Sequence, residues 1–395
     1  MTIDETAPAD AEAETATEEV ATPEVAEGME GNEPAAEETP AADQPSVEPM
    51  AAGEQAPAAE APAAEPAPAA TESAAADAPA AEEFVKAPLG LPPVPIPADN
   101  PMTAEKIELG KLLYFDKRVS KDGTLSCATC HDPQMAWTEH KPTSEGIGHQ
   151  FGTRNSPTVI NAAYAPVQFW DGRAESLEAQ AVGPVGNPIE MGHSMDAVVE
   201  QFDKIAGYRE RFEKVFGTGV TEEGFAKAVA AFERTVLSGN SPYDRFMAGD
   251  ESAMTDAQKE GMELFEETGC STCHAPPLFS NFRYYNAGVG IDKEKPDEGR
   301  KDVTGRDSDL GKFRVPPLRE IANTHPYFHD GSVATLEEAV ALMASGGNDN
   351  PNLAAQLKAM REAELTKEDQ AKIVEFLKAL SGEYPIIEPP AEFPQ

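Results

Sequence analysis

The sequence predicts a mainly α protein of two helical domains, preceded by a disordered acidic segment rich in Ala, Pro and Glu. Three observations carry this expectation. The composition changes sharply near residue 85. After that point apolar residues recur at helical spacing behind capping residues, and clear alternating strands are few. One pentapeptide also occurs twice, as Cys127-Ala-Thr-Cys130-His131 and Cys270-Ser-Thr-Cys273-His274, each copy in similar surroundings.

Residues 1–85 hold 22 acidic side chains and no Lys or Arg, which leaves about −17 of the formal net charge of −39 for the rest of the chain. Such a stretch buries too little apolar surface to offset its ordering entropy, and its charges repel. Its Ala-Pro-Ala-Ala-Glu repeats favour extended conformations. It reads as a disordered spacer, with a tether to a membrane surface as the functional alternative. Met1-Thr-Ile-Asp-Glu lacks the basic and apolar regions of a secretory signal, and no apolar run is long enough to span a bilayer. So acidic a chain has no expected nucleic-acid partner.

The remainder suits two domains, 86–245 and 246–395, with a break near Ser238–Ala253. In the first, Thr103 caps an amphipathic helix through Ile107, Leu109, Leu112 and Leu113. Phe225, Val229, Phe232 and Val236 mark another helix. In the second, Thr255-Asp-Ala-Gln258 is a capping box ahead of Gly-Met-Glu-Leu-Phe. A helix follows over Leu336–Met343, and Ile373, Phe376, Leu377 and Leu380 mark the last one. Long loops rich in Gly, Pro and Asn lie between, where functional groups are expected on a helical scaffold.

The repeated pentapeptide is C-x-x-C-H, the attachment signature of a c-type haem. Two thiols separated by two residues can add to the two vinyl groups of one porphyrin, and the adjoining His can turn back onto the iron. Cys127, Cys130 and His131 would hold one haem, and Cys270, Cys273 and His274 the other. The alternatives are a Cys₄ zinc site and a redox dithiol. Zinc needs no His directly after the second Cys, and the βαβ context of a thioredoxin-like dithiol is missing. All four cysteines are used by the two motifs, so none remains for a disulfide.

Around these motifs the chain resembles the bacterial dihaem cytochrome c peroxidases. The resemblance rests on Asn155-Ser-Pro-Thr-Val-Ile-Asn-Ala-Ala-Tyr, Gln168-Phe-Trp-Asp-Gly-Arg-Ala, Glu178-Ala-Gln-Ala-Val-Gly-Pro and Pro188-Ile-Glu-Met-Gly. It continues through Val315-Pro-Pro-Leu-Arg, Thr324-His-Pro-Tyr-Phe-His-Asp-Gly and Thr335-Leu-Glu-Glu-Ala-Val. In order and together, these blocks cover roughly residues 88–385. The resemblance implies two cytochrome c-like domains with a division of labour. The haem on His131 would be the low-potential peroxidatic centre, and the haem on His274 would accept electrons at high potential. The reaction would be H₂O₂ + 2e⁻ + 2H⁺ → 2H₂O.

The same resemblance implies roles residue by residue. Glu190 would be the acid/base that moves the peroxide proton, and Gln180 would help orient the substrate. Trp170 would lie between the haems. Met343 would be the sixth ligand of the second haem, where a thioether raises the potential. His149, flanked by Gly146, Gly148 and Gly152, would be a removable ligand of the first haem, with His140 the competing choice. The side chain of Asn155 and the carbonyls of Thr324 and Pro326 would bind a calcium ion with water completing the shell. The donor would be a small cytochrome c or a cupredoxin, the location periplasmic and the oligomer a homodimer. Two rival readings stay open. A dihaem electron carrier would leave Glu190 and Gln180 without a purpose. A dihaem oxidase of a protein side chain would be expected to carry Tyr where this chain has Met343.

Overall fold

The computed structural model describes residues 84–395, so the expected acidic spacer lies, apart from its last two residues, outside the described part. The helices follow from their caps. The Thr103 hydroxyl accepts from the Lys106 amide and starts α1, Ala104–Phe115. The first cysteine motif is a single helical turn, α2, Cys127–Cys130. Then come α3, Leu177–Gly186, α4, Met195–Asp203, α5, Ala206–Phe216, and α6, Glu222–Glu233. Ser176, Ser194 and Thr221 cap three of these through side-chain oxygens.

The expected break near Ser238–Ala253 holds a short helix, α7, Pro242–Met247. Thr255 and Gln258 form the capping box that opens α8, Asp256–Glu267. A two-stranded antiparallel ladder, β1, Tyr284–Tyr285, and β2, Phe313–Arg314, brackets the one-turn helix α9, Lys301–Thr304. The chain then forms α10, Leu336–Ala344, α11, Ala355–Arg361, and α12, Lys367–Lys378.

Two cores result. Residues of α1, α3, α4, α5 and α6 gather around Tyr114, Trp137, Phe212 and Phe232. Residues of α8, α10 and α12 gather around Phe265, Phe279, Phe376 and Leu377. Each core is built on one close helix crossing that only glycine permits. A Cβ on Gly110 of α1 would lie 1.9 Å from the Ala228 carbonyl oxygen of α6, and one on Gly261 of α8 would lie 1.9 Å from that of Lys372 in α12. In both crossings the next neighbour is a Phe Cβ, of Phe232 or of Phe376.

The C-terminal tail departs from the expected order of two consecutive units. Tyr384, Ile387 and Phe393, read above as part of the second unit, pack against the first core. The tail is tied there because Trp137 Nε1 donates to the Pro385 carbonyl at 2.9 Å and Arg118 donates to that of Pro394 at 3.0 Å. Apolar side chains spaced irregularly along a Pro-rich segment carry no period that points to a destination.

Candidate functional site

Both cysteine motifs fold by one device. The His131 amide donates to the Cys127 carbonyl at 3.0 Å, and the His274 amide donates to the Cys270 carbonyl at 2.9 Å. One turn therefore brings two thiols and an imidazole together. Cys127 packs against the first core and Cys270 against the second, so the four thiols do not converge on one ion. All four are free, and burial raises every one of them, Cys130 to about 11.

The imidazoles fit an iron ligand. His274 Nδ1 bonds the Phe279 carbonyl at 2.9 Å, which fixes the ring and leaves Nε2 free, and burial lowers its pKa to about 4. His131 is lowered by the same cause, and its buried Nδ1 has no hydrogen-bond partner. Cys270, Cys273 and His274 line one cavity together with Met343 and Trp170. The cavity has a volume of about 210 Å³ and opens to solvent. Its largely apolar lining fits a macrocycle. Met360, which sequence reading did not single out, lines the same cavity from α11.

Glu190 lies in the turn after α3. Burial raises its carboxyl pKa, against the pull of Arg173 and of the Asn187 amide, which donates to Oε1 at 2.7 Å. Its charge is felt by the Cys130 thiol, so it shares the surroundings of the first motif. Gln180 is half-buried on α3 and makes no side-chain hydrogen bond among the described residues.

His149 stands elsewhere. Its side chain is 92% exposed, and Nδ1 bonds Glu145 Oε1 at 2.5 Å. Gly148 and His149 both have positive φ, which turns the ring outward. The loop nonetheless leans on the Glu190 turn, where the Ile147 amide donates to the Glu190 carbonyl at 2.8 Å. His140 is committed to other contacts. It stacks on His325 at 4.2 Å and bonds the Asn323 carbonyl.

Trp170 Nε1 donates to the Asn155 carbonyl at 2.9 Å, and its own carbonyl accepts from Arg314 at 2.8 Å. The Asn155 amide in turn donates to the His329 carbonyl at 2.7 Å. Asn155 thereby comes beside the segment that carries Thr324 and Pro326, whose carbonyls accept no hydrogen bond among the described residues. Among those residues no three His, Cys, Asp or Glu side chains gather as a metal cage. The expected calcium ligands are amide and carbonyl oxygens, which form no such cluster.

Sequence reading missed two buried groups. Glu233, at the end of α6, is pushed up to about 8 by burial, with Oε2 unpartnered. Arg314 and Tyr284 carry buried donors without partners. In sequence they are a charged residue inside an apolar helix and a lone Arg in a short strand, patterns with many ordinary explanations.

Two helical cores, each with a C-x-x-C-H turn whose half-buried His has a lowered pKa, define a c-type redox protein with two haems. Residues 104–252 match the Di-haem cytochrome c peroxidase family and residues 258–381 match the Cytochrome c family. The chain is 41% identical over 294 residues to the cytochrome c551 peroxidase of Nitrosomonas europaea, covering 74% of this chain and 84% of that one. It is 40% identical over 303 residues to the cytochrome c551 peroxidase of Pseudomonas aeruginosa, covering 74% and 83%. Among solved structures it resembles a MauG-like protein associated with microbial copper homeostasis, with a TM-score of 0.68, 34% identity and coverage of 77% of this chain and 97% of that one. The chain belongs to the dihaem cytochrome c peroxidase family and is an oxidoreductase.

Proposed function

We propose that the protein reduces hydrogen peroxide to water at the haem on His131, with electrons entering through the haem on His274. One observation carries this division. A half-buried carboxyl with a raised pKa, Glu190, accompanies the first motif, whereas the second motif shares its cavity with Met343. The bound haem supplies electrons and a site for the peroxide oxygen. Glu190 takes the proton from the inner oxygen and returns it to the outer one, which leaves as water. Gln180, one side of α3 away, orients the substrate. Arg173 opposes the rise that burial causes in the Glu190 carboxyl, which favours its ionised form.

Trp170 bridges the two halves, and Met343 holds the second centre at high potential. His149 is a ligand of the first haem in another redox state, its present exposed position being the open one. Asn155, Thr324 and Pro326 hold calcium. The electron donor is a small cytochrome c or cupredoxin with a basic patch, drawn by the acidic chain and released by salt. Function as a homodimer in the periplasm completes the reading. The likeness to a MauG-like protein favours a second reading, oxidation of a protein side chain, and Met343 argues against it.

Absorption and EPR spectra of the oxidised and half-reduced protein, with peroxide turnover measured on each, test the proposal. A first haem that opens and turns over peroxide supports it. Two six-coordinate haems and no turnover in any redox state would leave an electron carrier.

A further inference from the structure

Of the three buried arginines among the described residues, Arg234, Arg314 and Arg319, only Arg314 lacks a carboxylate, and the half-buried Arg154 has two. Arg319 forks onto Asp244 with two contacts of 2.8 Å, Arg234 reaches Glu178 at 2.8 Å, and Arg154 reaches Asp297 at 2.7 Å and Asp171 at 2.5 Å. Arg314 is 7% exposed and has no acidic partner among the described residues. Its Nε donates to the Phe169 carbonyl at a long 3.3 Å, and its buried Nη1 donates to nothing. A buried charge without a counter-charge is among the costliest arrangements in a protein.

A second orphan lies beside it. Tyr284 and Arg314 are directly opposed in the β1–β2 ladder, so their side chains share one face. The Tyr284 hydroxyl is also buried without a partner. It lies over Gly172, where a Cβ would come within 1.7 Å of it. Arg300, which stacks over the Tyr284 ring at 4.5 Å, is already committed to the carbonyls of Asp171 and Gly172. The free donor of Arg314 suits an acceptor-only planar anion, a carboxylate, whereas the Tyr284 hydroxyl is turned to Gly172 and is not part of the cavity lining. Arg314 also lines the cavity of His274 and Met343.

We propose that Arg314 anchors a propionate carboxylate of the second haem and thereby holds that haem's potential high. This rests on the reading of the cavity as a haem site. A haem attached through Cys270 and Cys273 would bring two propionate carboxylates, and one of these would supply the missing anion. An unpaired carboxylate near the iron stabilises the ferric state, and pairing it with Arg314 removes that bias. Burial, which lowers the Arg314 pKa to about 10 in the absence of a counter-charge, agrees with a site built to receive one.

Spectroelectrochemical titration of the holoprotein, without peroxide, tests this apart from the peroxidase reading. Arg314→Gln should retain two haems, lower the second midpoint, leave the first in place and make the second midpoint pH-dependent near neutrality. Arg314→Lys should keep most of the wild-type value. Arg314→His should give a second midpoint that falls as pH rises through the imidazole range, and it decides the matter if the Gln variant does not load haem. An unchanged second midpoint, equal shifts of both midpoints, or a wild-type midpoint that responds to added chloride or acetate as a free occupant would overturn the proposal.

Discussion

Glu190 and Glu233 are both half of a paradox, a carboxyl placed where ionisation is costly, and they resolve it differently. Glu190 keeps Arg173 and Asn187 nearby, and both offset the rise that burial causes in its carboxyl. Glu190→Gln should preserve both haems and slow the peroxide step by about 10²–10⁴-fold, the usual contribution of a general acid–base group. Stopped-flow mixing of the half-reduced variant with peroxide isolates that step, and a wild-type rate would remove Glu190 from the mechanism. The acid limb of the wild-type pH profile should lie above 4.5, the ordinary Glu value, because burial raises the group. Glu233 has an unpartnered Oε2 and a pKa of about 8 against 4.5 when unfolded. Its folded-state pKa is raised, so its ionisation costs nothing below pH 4.5, costs more from there to about 8, and costs no more above that. At pH 7 the penalty is on the order of 3 kcal/mol, taking about 1.36 kcal/mol per pH unit. Glu233→Gln should therefore raise the thermal midpoint at pH 7 and leave it unchanged at pH 4. An equal effect at both pH values would show that the group acts through packing instead.

At the scale of elements, the two cores repeat one construction, and its weakest tolerance is the glycine at each crossing. Gly110→Ala would push a methyl into the Ala228 carbonyl, and Gly261→Ala into that of Lys372. Neither contact is with a flexible side-chain end, so the helices themselves must part. Overpacking of this kind costs typically about 1–3 kcal/mol. Either variant should lower the thermal midpoint, whereas Gly186→Ala in α3, where a Cβ meets nothing within 4 Å, should be neutral or slightly stabilising. Matching midpoints for all three would refute the crossing argument. Much of this construction is legible in sequence, because Thr103, Thr255 and Gln258 announce helix starts through local hydrogen bonds. Phe225, Phe232, Ile373 and Phe376 likewise declare buried faces by their spacing. The C-x-x-C-H turns are legible for the same local reason. What stays hidden depends on distant partners. Nothing near residue 385 foretells Trp137, and nothing in a two-residue strand shows that Arg314 will face Tyr284. The direction of a loop side chain is hidden too, as His149 shows by facing solvent.

For the whole molecule, the decisive region is the seam between the cores, since electrons must cross it. Several direct bonds already close it. Arg154 reaches Asp297, Arg300 reaches the Asp171 and Gly172 carbonyls, Arg314 reaches the Trp170 carbonyl, and Asn155 reaches the His329 carbonyl. Trp170 is fixed by two of these segments at once, through Asn155 and Arg314. A calcium ion on Asn155, Thr324 and Pro326 would add to this set rather than create it. Three neutral protein ligands give weak binding, with a Kd of about 10⁻⁴–10⁻³ M by comparison with known sites. Chelation should therefore leave both haems and the helical content intact while loosening the register of Trp170 between the centres. The expected result is slower electron transfer between the haems and lower turnover, both restored by added Ca²⁺ and not by Mg²⁺, which prefers a smaller, more regular shell. Flash reduction of the second haem, followed by the first at its own absorption band, reads the transfer directly. A transfer rate indifferent to exhaustive chelation, with no calcium found by elemental analysis of the untreated protein, would show that the direct bonds alone hold the seam.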